Sequence, residues 1–259
     1  MSKPENVSLP ASEVRAIYLL EDSHWWYLAL RRLMGSMAGE YVGSPLRILD
    51  AGCGTGGNLR FLSALFPRVE IYGVDQDPLA VALAQTRKSG RVSRASVHPL
   101  PFRDGVFDLV LSLDVLYMQG VNDEKALAEF RRVLKEGGIL LVNLPAFECL
   151  RSAHDRAVQT RHRYTAPELR RKLSARGFIV RRLTYWNAFL FPLIFLARKV
   201  SPLKGVAQAP ASDLKALPPA LNGVLERLLQ MELFLLRRMD LPFGVSVFAV
   251  AENVLHPSR

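Results

Sequence analysis

Leu46-Arg47-Ile48-Leu49-Asp50-Ala51-Gly52-Cys53-Gly54-Thr55-Gly56-Gly57 runs an apolar strand straight into a glycine-rich turn, and Val74-Asp75 follows about twenty residues later. Glycines at 52, 54 and 56 allow positive φ and let a ligand approach the main chain with no Cβ in the way. An acid at that distance suits ribose hydroxyls, so the stretch points to a nucleoside-containing cofactor. The spacing G-x-G-x-G departs from the dinucleotide fingerprint, and no Walker lysine follows. Neither a nicotinamide dinucleotide nor a nucleoside triphosphate is therefore the best guest.

Composition sets the outer bounds. With 259 residues, 49% hydrophobic and 22% charged, the chain is long enough for one domain with elaborations and too apolar for wholesale disorder. Two cysteines, Cys53 and Cys149, make a disulfide framework implausible, and no signal peptide opens the sequence. A cytoplasmic setting is the resulting expectation. The net charge of +10 permits attraction to nucleic acid, anionic lipid or an anionic small substrate. Much of the excess lies between Arg151 and Arg182, including Arg161-His162-Arg163 and Arg170-Arg171-Lys172.

Residues 11–41 read as helical up to Gly43-Ser44-Pro45. Strands and helices then alternate: strand 46–50, helix 56–66, strand 69–74, helix 77–88, strand 106–113, helix 122–136, strand 138–144. Such alternation specifies parallel strands with crossover helices, and a ligand at their carboxyl ends near the switch in strand order. Helix 166–175, strand 178–186 and the apolar run 245–251 complete the pattern.

Between 187 and 244 lies the most individual segment. It opens with Phe189-Leu190-Phe191-Pro192-Leu193-Ile194-Phe195-Leu196-Ala197, an uncharged run shorter than the roughly 20 residues needed to span a bilayer. A core helix, a substrate lid or an interfacial membrane anchor over 187–200 remain open. A Pro/Ala-rich linker over 201–220 then leads to a helix over 221–239, with Val224, Leu225, Leu228, Leu229, Leu233 and Leu236 suited to one buried stripe.

Asp50-Ala51-Gly52-Cys53-Gly54-Thr55-Gly56 and Gly73-Val74-Asp75 resemble the first two motifs of class I S-adenosylmethionine-dependent methyltransferases. Pro99-Leu100-Pro101-Phe102-Arg103-Asp104-Gly105-Val106-Phe107-Asp108-Leu109-Val110 is similar to the loop and fourth strand of that family. Phe130-Arg131-Arg132-Val133-Leu134-Lys135-Glu136-Gly137-Gly138 is similar to its turn before the fifth strand. The resemblance implies an α/β fold: a Rossmann-like, doubly wound seven-stranded sheet with the last strand antiparallel. To this the chain adds an N-terminal helical cap (1–45) on a methyltransferase core (46–186), a helical insertion (187–244) between the last two strands, and a final strand and tail (245–259).

The same resemblance implies S-adenosyl-L-methionine as cofactor, S-adenosyl-L-homocysteine as product, and no metal. The backbone of Gly52, Cys53, Gly54 and Gly56 would line the methionine portion, with Asp50 orienting the turn. Asp75 would accept both ribose hydroxyls. Gln76 would lie against adenine. Ser96 stands where many relatives have an acid for the adenine amine, so Val97 main chain would share that role. Leu113 would face the reacting methyl. His24-Trp25-Trp26-Tyr27 with Arg31-Arg32 resembles the N-terminal helix of one bacterial branch, which covers the pocket; Trp26 would line it, its neighbour would pack on the core, and Arg31 would pair with the cofactor carboxylate.

His154-Asp155-Arg156 and Arg161-His162-Arg163-Tyr164-Thr165 resemble the segment that follows the fifth strand in that branch, over the mouth of the site. Neutral histidine accepts protons near pH 7 and arginine clamps anions with two prongs. His162 or His154, with Tyr164, are the expected proton-transfer groups. Arg163 is the expected anion clamp, with Asp155 and Tyr117 beside the substrate. In Asp114-Val115-Leu116-Tyr117-Met118 a methionine occupies the place where relatives often carry histidine.

The leading expectation is methyl transfer by in-line displacement to a small, apolar or anionic lipid-like acceptor, with peripheral membrane contact an option through 187–200. Nucleic-acid methylation is the alternative that charge motivates. Against it, the fifth strand reads Val142-Asn143-Leu144-Pro145-Ala146, without the Asn/Asp-Pro-Pro-aromatic motif of amine methylation. A non-catalytic cofactor-binding partner protein is the third reading.

Overall fold

The computed structural model describes residues 9–44, 46–200 and 214–254. Most of the linker expected at 201–220 lies outside the described residues, as do residues 1–8, 45 and 255–259.

Seven strands form one sheet. Their ranges are β1 (Arg47–Ala51), β2 (Glu70–Asp75), β3 (Arg91–Arg94), β4 (Phe107–Leu113), β5 (Leu134–Pro145), β6 (Phe178–Trp186) and β7 (Ser246–Asn253). Their order is β3-β2-β1-β4-β5-β7-β6, parallel throughout except for β7, which runs antiparallel to both β5 and β6. This is a Rossmann-like, doubly wound seven-stranded sheet with its last strand antiparallel. The order reverses between β1 and β4, so a crevice opens above the carboxyl ends of those two strands.

Adjacent residues in the central strands serve opposite layers. Leu49, Val110 and Leu140 join a core with Ala126, Leu127 and Phe130 of α5 (Asp123–Val133) and Leu169 and Leu173 of α7 (Ala166–Ala175). Ile48, Leu109, Leu111, Ile139 and Leu141 face the other way, toward α2 (Trp25–Tyr41), α3 (Gly57–Leu65) and α9 (Pro219–Leu236). Both faces are covered, which is why these strands are continuously apolar rather than alternating.

Three local differences from the sequence pattern have physical reasons. The helical stretch 11–41 is two helices, α1 (Ala11–Leu20) and α2, separated at Glu21–His24. The His24 ring nitrogen accepts the Trp26 backbone N–H and caps α2. The four-residue edge strand β3 contains one apolar residue, Val92, and depends on backbone pairing with β2, so periodicity did not reveal it. The helix expected to reach 136 ends at Val133, because Leu134 is buried and already pairs with Phe107 as the first residue of β5.

Two further helices complete the layout: α4 (Pro78–Thr86) follows β2, and the short α6 (Ala153–Ala157) follows β5. The insertion between β6 and β7 forms α8 (Phe191–Val200) and α9. No helix among the described residues is long and apolar enough to cross a membrane. Helix α9 packs on α2, where Asn222 accepts from the Trp25 N–H at 3.0 Å and donates to the Ser23 carbonyl at 3.0 Å, and Arg32 pairs with Glu226 at 2.7 Å.

A fully buried carboxylate, Glu232, ties the insertion to the sheet. It accepts the backbone N–H groups of Asn187, Ala188 and Phe189, the turn that leads from β6 into α8. Asn187 is held there with φ at +60°. Burial pushes the Glu232 carboxyl upward against the pull of these three donors. Removing a side chain that satisfies several buried donors leaves them without partners, so Glu232→Ala should cost about 3 kcal/mol. A denaturant titration is the check, and a midpoint equal to the parent's would refute this role.

Candidate active site

The glycine turn forms the floor of the crevice. Gly52, Gly54 and Gly56 all have left-handed backbone, with φ of +93°, +52° and +85°. A Cβ on Gly52 would collide with the Val115 side chain, whereas the space beside Gly54 is open. Asp75, at the end of β2, fastens the turn: its Oδ2 accepts the Gly54 N–H at 2.9 Å and its Oδ1 accepts the Asp77 N–H at 2.9 Å. Each oxygen keeps further lone-pair capacity, which is what a pair of vicinal hydroxyls needs. Burial raises the Asp75 carboxyl above the usual carboxylate range, against these amide donors. Asp50 is fully buried beneath the turn, and burial pushes it up to about 7 against the pull of the Asn58 amide.

Above the turn lies a cavity of about 400 Å³. Gly52, Cys53, Gly54, Asp75, Gln76, Val97 and Leu113 line one side of it. Opposite them stand Trp25, Trp26, Tyr27 and Leu30 of α2, with Val115 and Tyr117 after β4 and Ile194 of α8. Both tryptophans line the cavity and both are half-buried, so neither is given over to the core alone. The core role falls to Trp186, fully buried, with Trp26 resting on it at 5.7 Å between ring centres.

The cap is latched to the glycine turn through Glu21. Its carboxylate receives Thr55 Oγ1, Arg87 Nη2 at 2.8 Å and Arg31 Nη2 at 3.2 Å. Arg31 also donates to the Glu21 carbonyl at 2.8 Å, and Arg87 to the Thr55 carbonyl at 2.8 Å. Arg31, expected to meet the cofactor, is thus committed to the latch and does not line the cavity. Spacing alone did not single out Glu21 or Thr55, because their partners are remote in sequence.

The segment after β5 is distributed differently from expectation. His162 sits between two carboxylates, Nδ1 at 3.1 Å from Glu148 and Nε2 at 3.0 Å from Glu168, and lies outside the cavity lining. Tyr164 is buried, donates to Asp123 at 2.8 Å, and is likewise outside it. His154 and Asp155 of α6 do line the cavity, together with Arg163. Yet the Arg163 fork already grips a carboxylate of this chain, with Nε at 2.7 Å and Nη2 at 3.2 Å from Asp155, while Nη1 donates to the Ala146 carbonyl. Burial pulls Asp155 up, and the Arg163 hydrogen bonds and charge more than reverse it. Ser96, outside the lining, closes a local turn with His98 instead of facing the ligand space. Gly56 and Asp50 support the floor from behind rather than lining it.

One lining group emerges from the three-dimensional arrangement alone. Asp114 follows the last residue of β4 with φ at +62°, a conformation costly for a non-glycine residue. Asn143 of β5 clamps it twice: its carbonyl accepts the Asp114 N–H at 2.9 Å and its Nδ2 donates to Asp114 Oδ2 at 3.0 Å. Trp186 Nε1 donates to Asn143 Oδ1 at 2.7 Å, which fixes which way the amide points. Burial pushes Asp114 up to about 7, opposed by Asn143 and by the Arg163 charge. A carboxylate with that value, lining a largely apolar cavity, is equipped to exchange a proton near neutral pH. No group of three or more potential metal-ligating side chains is present among the described residues.

Comparison with known proteins agrees with this fold. The family model described as a methyltransferase domain matches residues 49–142. A malonyl-[acyl-carrier protein] O-methyltransferase of Geobacter sulfurreducens is 33% identical over 168 residues, covering 58% of this chain and 61% of that protein. A demethylmenaquinone methyltransferase of Thermus thermophilus is 36% identical over 104 residues, covering 38% and 47%. The chain thus spans about half to three-fifths of the length of these curated relatives. Among solved structures, a phosphoethanolamine N-methyltransferase of Haemonchus contortus with S-adenosyl-L-methionine superimposes with a TM-score of 0.62 at 18% identity, covering 95% of this chain and 58% of that one. Geranyl diphosphate C-methyltransferase of Streptomyces coelicolor gives 0.57 at 14% identity, covering 85% and 78%. These structural likenesses establish the fold.

The left-handed turn is the most sensitive element of the site. Gly52→Ala combines a steric collision with a disfavoured φ, worth about 3 kcal/mol and hence roughly a hundredfold in affinity. Calorimetry with sinefungin, a non-transferring cofactor analogue, should show that loss. Unchanged affinity would mean that the turn does not shape the binding site.

Proposed function

We propose that this chain, whose residues 49–142 are a methyltransferase domain within a class I methyltransferase fold, transfers a methyl group from S-adenosyl-L-methionine to a small, apolar or lipid-like acceptor. The carrying observation is the single cavity that joins the glycine turn and Asp75 to an aromatic and aliphatic chamber under the cap. The residues present fit the cofactor: Asp75 has acceptor capacity left for ribose hydroxyls, and the main chain is open beside Gly54. When bound, S-adenosyl-L-methionine supplies an electrophilic methyl carbon on a sulfonium.

The chain's own residues then have distinct tasks. Asp75 and the glycine turn hold the nucleoside and methionine portions, and Leu113 flanks the transfer path. Trp25, Trp26, Tyr27 and Val115 exclude water and confine the acceptor, so that the reacting atoms meet in line. Held there, the acceptor would stand opposite the bound cofactor's sulfur, which would serve as the leaving group and keep the electron pair. The proton released by the acceptor passes to Asp114, which Asn143 holds in place. His154, also lining the cavity, is the remaining candidate from the sequence reading; His162 and Tyr164 are assigned to bracing the segment that carries Arg163 and Asp155. The Arg163–Asp155 pair then supports the chamber wall, with Tyr117 against the acceptor.

Two measurements test this. Incubation with methyl-labelled S-adenosyl-L-methionine and an extract of the host should put label in the organic-soluble fraction; label in nucleic acid, or none, would overturn the acceptor class or the activity. For Asp114, ionisation creates the base, so turnover should rise with pH through about 7 and then level. Asp114→Asn should lower turnover at least tenfold, with sinefungin affinity kept and the pH dependence flattened. A retained pH rise in that variant would move the proton to another group, His154 first.

A further inference from the structure

Helix α9 presents two apolar faces, and only one is used by the fold. Leu229, Glu232 and Leu236 are buried on the side packed against α2 and the sheet. About a quarter-turn round the helix, Leu221, Val224, Leu228, Met231 and Leu235 recur at intervals of three and four, the spacing of a continuous helical stripe. Val224 is 61% exposed and Met231 64%, with Leu221 and Leu235 also exposed. Phe234, 54% exposed, borders the stripe under the Arg238 guanidinium, 4.9 Å from its ring centre.

The charges beside the stripe have one sign. Arg227, four residues before Met231, and Arg238, three after Leu235, are exposed. The acids of α9 are turned elsewhere: Glu226 pairs with Arg32, and Glu232 is buried under the turn at 187–189. Asp240, just beyond the helix, pairs with Arg182 at 2.8 Å. An apolar stripe bordered by arginine without exposed, uncommitted acids is the composition of a helix lying in a lipid interface. It is poorly suited to a second copy of the same face, which would bring arginines against arginines as well as leucines against leucines. The net charge of +10 adds long-range attraction to an anionic surface.

We infer that the outward face of α9 is a docking surface for an anionic lipid bilayer. It engages through Leu221, Val224, Met231 and Leu235 seated among the acyl chains and Arg227 and Arg238 at the headgroups. The inference goes beyond methyl transfer and stands independently of it. A second helix of the same insertion gives the placement a consequence: α8 exposes Leu193 and Leu196, while its Ile194 and Arg198 line the cavity. The insertion thereby borders both the ligand chamber and the outside, and a lipid-soluble molecule would have a short route between them.

The test is flotation of the full-length protein with vesicles of phosphatidylcholine alone and with one third phosphatidylglycerol. Co-flotation with the anionic vesicles, about tenfold above the neutral ones at low salt and reduced at 0.5 M salt, is expected. The Val224→Ser/Met231→Ser variant should lose most of this binding, and Arg227→Glu/Arg238→Glu should lose the preference for anionic lipid. Thermal melting and sinefungin binding equal to the parent's show that both variants remain folded. Absence of flotation, or flotation unaffected by both variants, overturns the inference. So does a stable dimer in light scattering that Met231→Asp dissociates, which would assign the face to a second copy.

Discussion

The passage from β1 into α3 must reverse the chain within a few residues and leave its backbone open to the crevice, and only left-handed dihedrals at Gly52, Gly54 and Gly56 accomplish both. That constraint dictates its neighbourhood. Val115 packs where a Cβ of residue 52 would be, Asp75 accepts the amide of Gly54, and Thr55 is turned toward the cap. A turn held at three points by groups from β2, the loop after β4 and the N-terminal segment acts as the junction of the domain rather than as a flexible loop.

Buried carboxylates connect this junction to the two elaborations of the fold. Glu21 sits between Arg31, Arg87 and Thr55, so the N-terminal helices are tied to the glycine turn by charge as well as by packing. Glu232 does the corresponding work for the insertion, using backbone donors instead of arginines. Removing either partner of such a contact strands a buried polar group, which is costlier than the net value of the contact itself. Asn222 and the Arg32–Glu226 pair then join cap and insertion directly, so the roof of the cavity is made of parts that were separate in the chain.

The acid–base groups show why residue type is a weak guide to role. His162 looked like a proton acceptor because histidine titrates near neutral pH, but two glutamates hold its ring away from the cavity. Arg163 looked like a ligand clamp, and its fork is closed on Asp155. Asp114 drew no attention in the sequence, since an ordinary aspartate is ionised far below neutral pH; burial at the end of β4 alters that. In each case the decisive fact is which partner from another element lies within hydrogen-bonding distance.

The sequence by itself determined the alternating strands and helices, the glycine turn with Asp75 at its fixed offset, and the separation of β6 from β7 by a helical insertion. These are read from local signals: apolar runs, backbone freedom and motif spacing act within a few residues or at a fixed offset. Only the tertiary structure decided that α1 and α2 are separate helices, that β3 exists as an edge strand with one apolar residue, and that Asp114 rather than His162 faces the chamber. It also decided which stripe of α9 is buried, since both stripes are apolar and their fates differ only by the surface α2 offers to one of them. Side-chain partnership, burial and the resulting pKa shifts depend on contacts between elements far apart in the chain, and no local pattern encodes those.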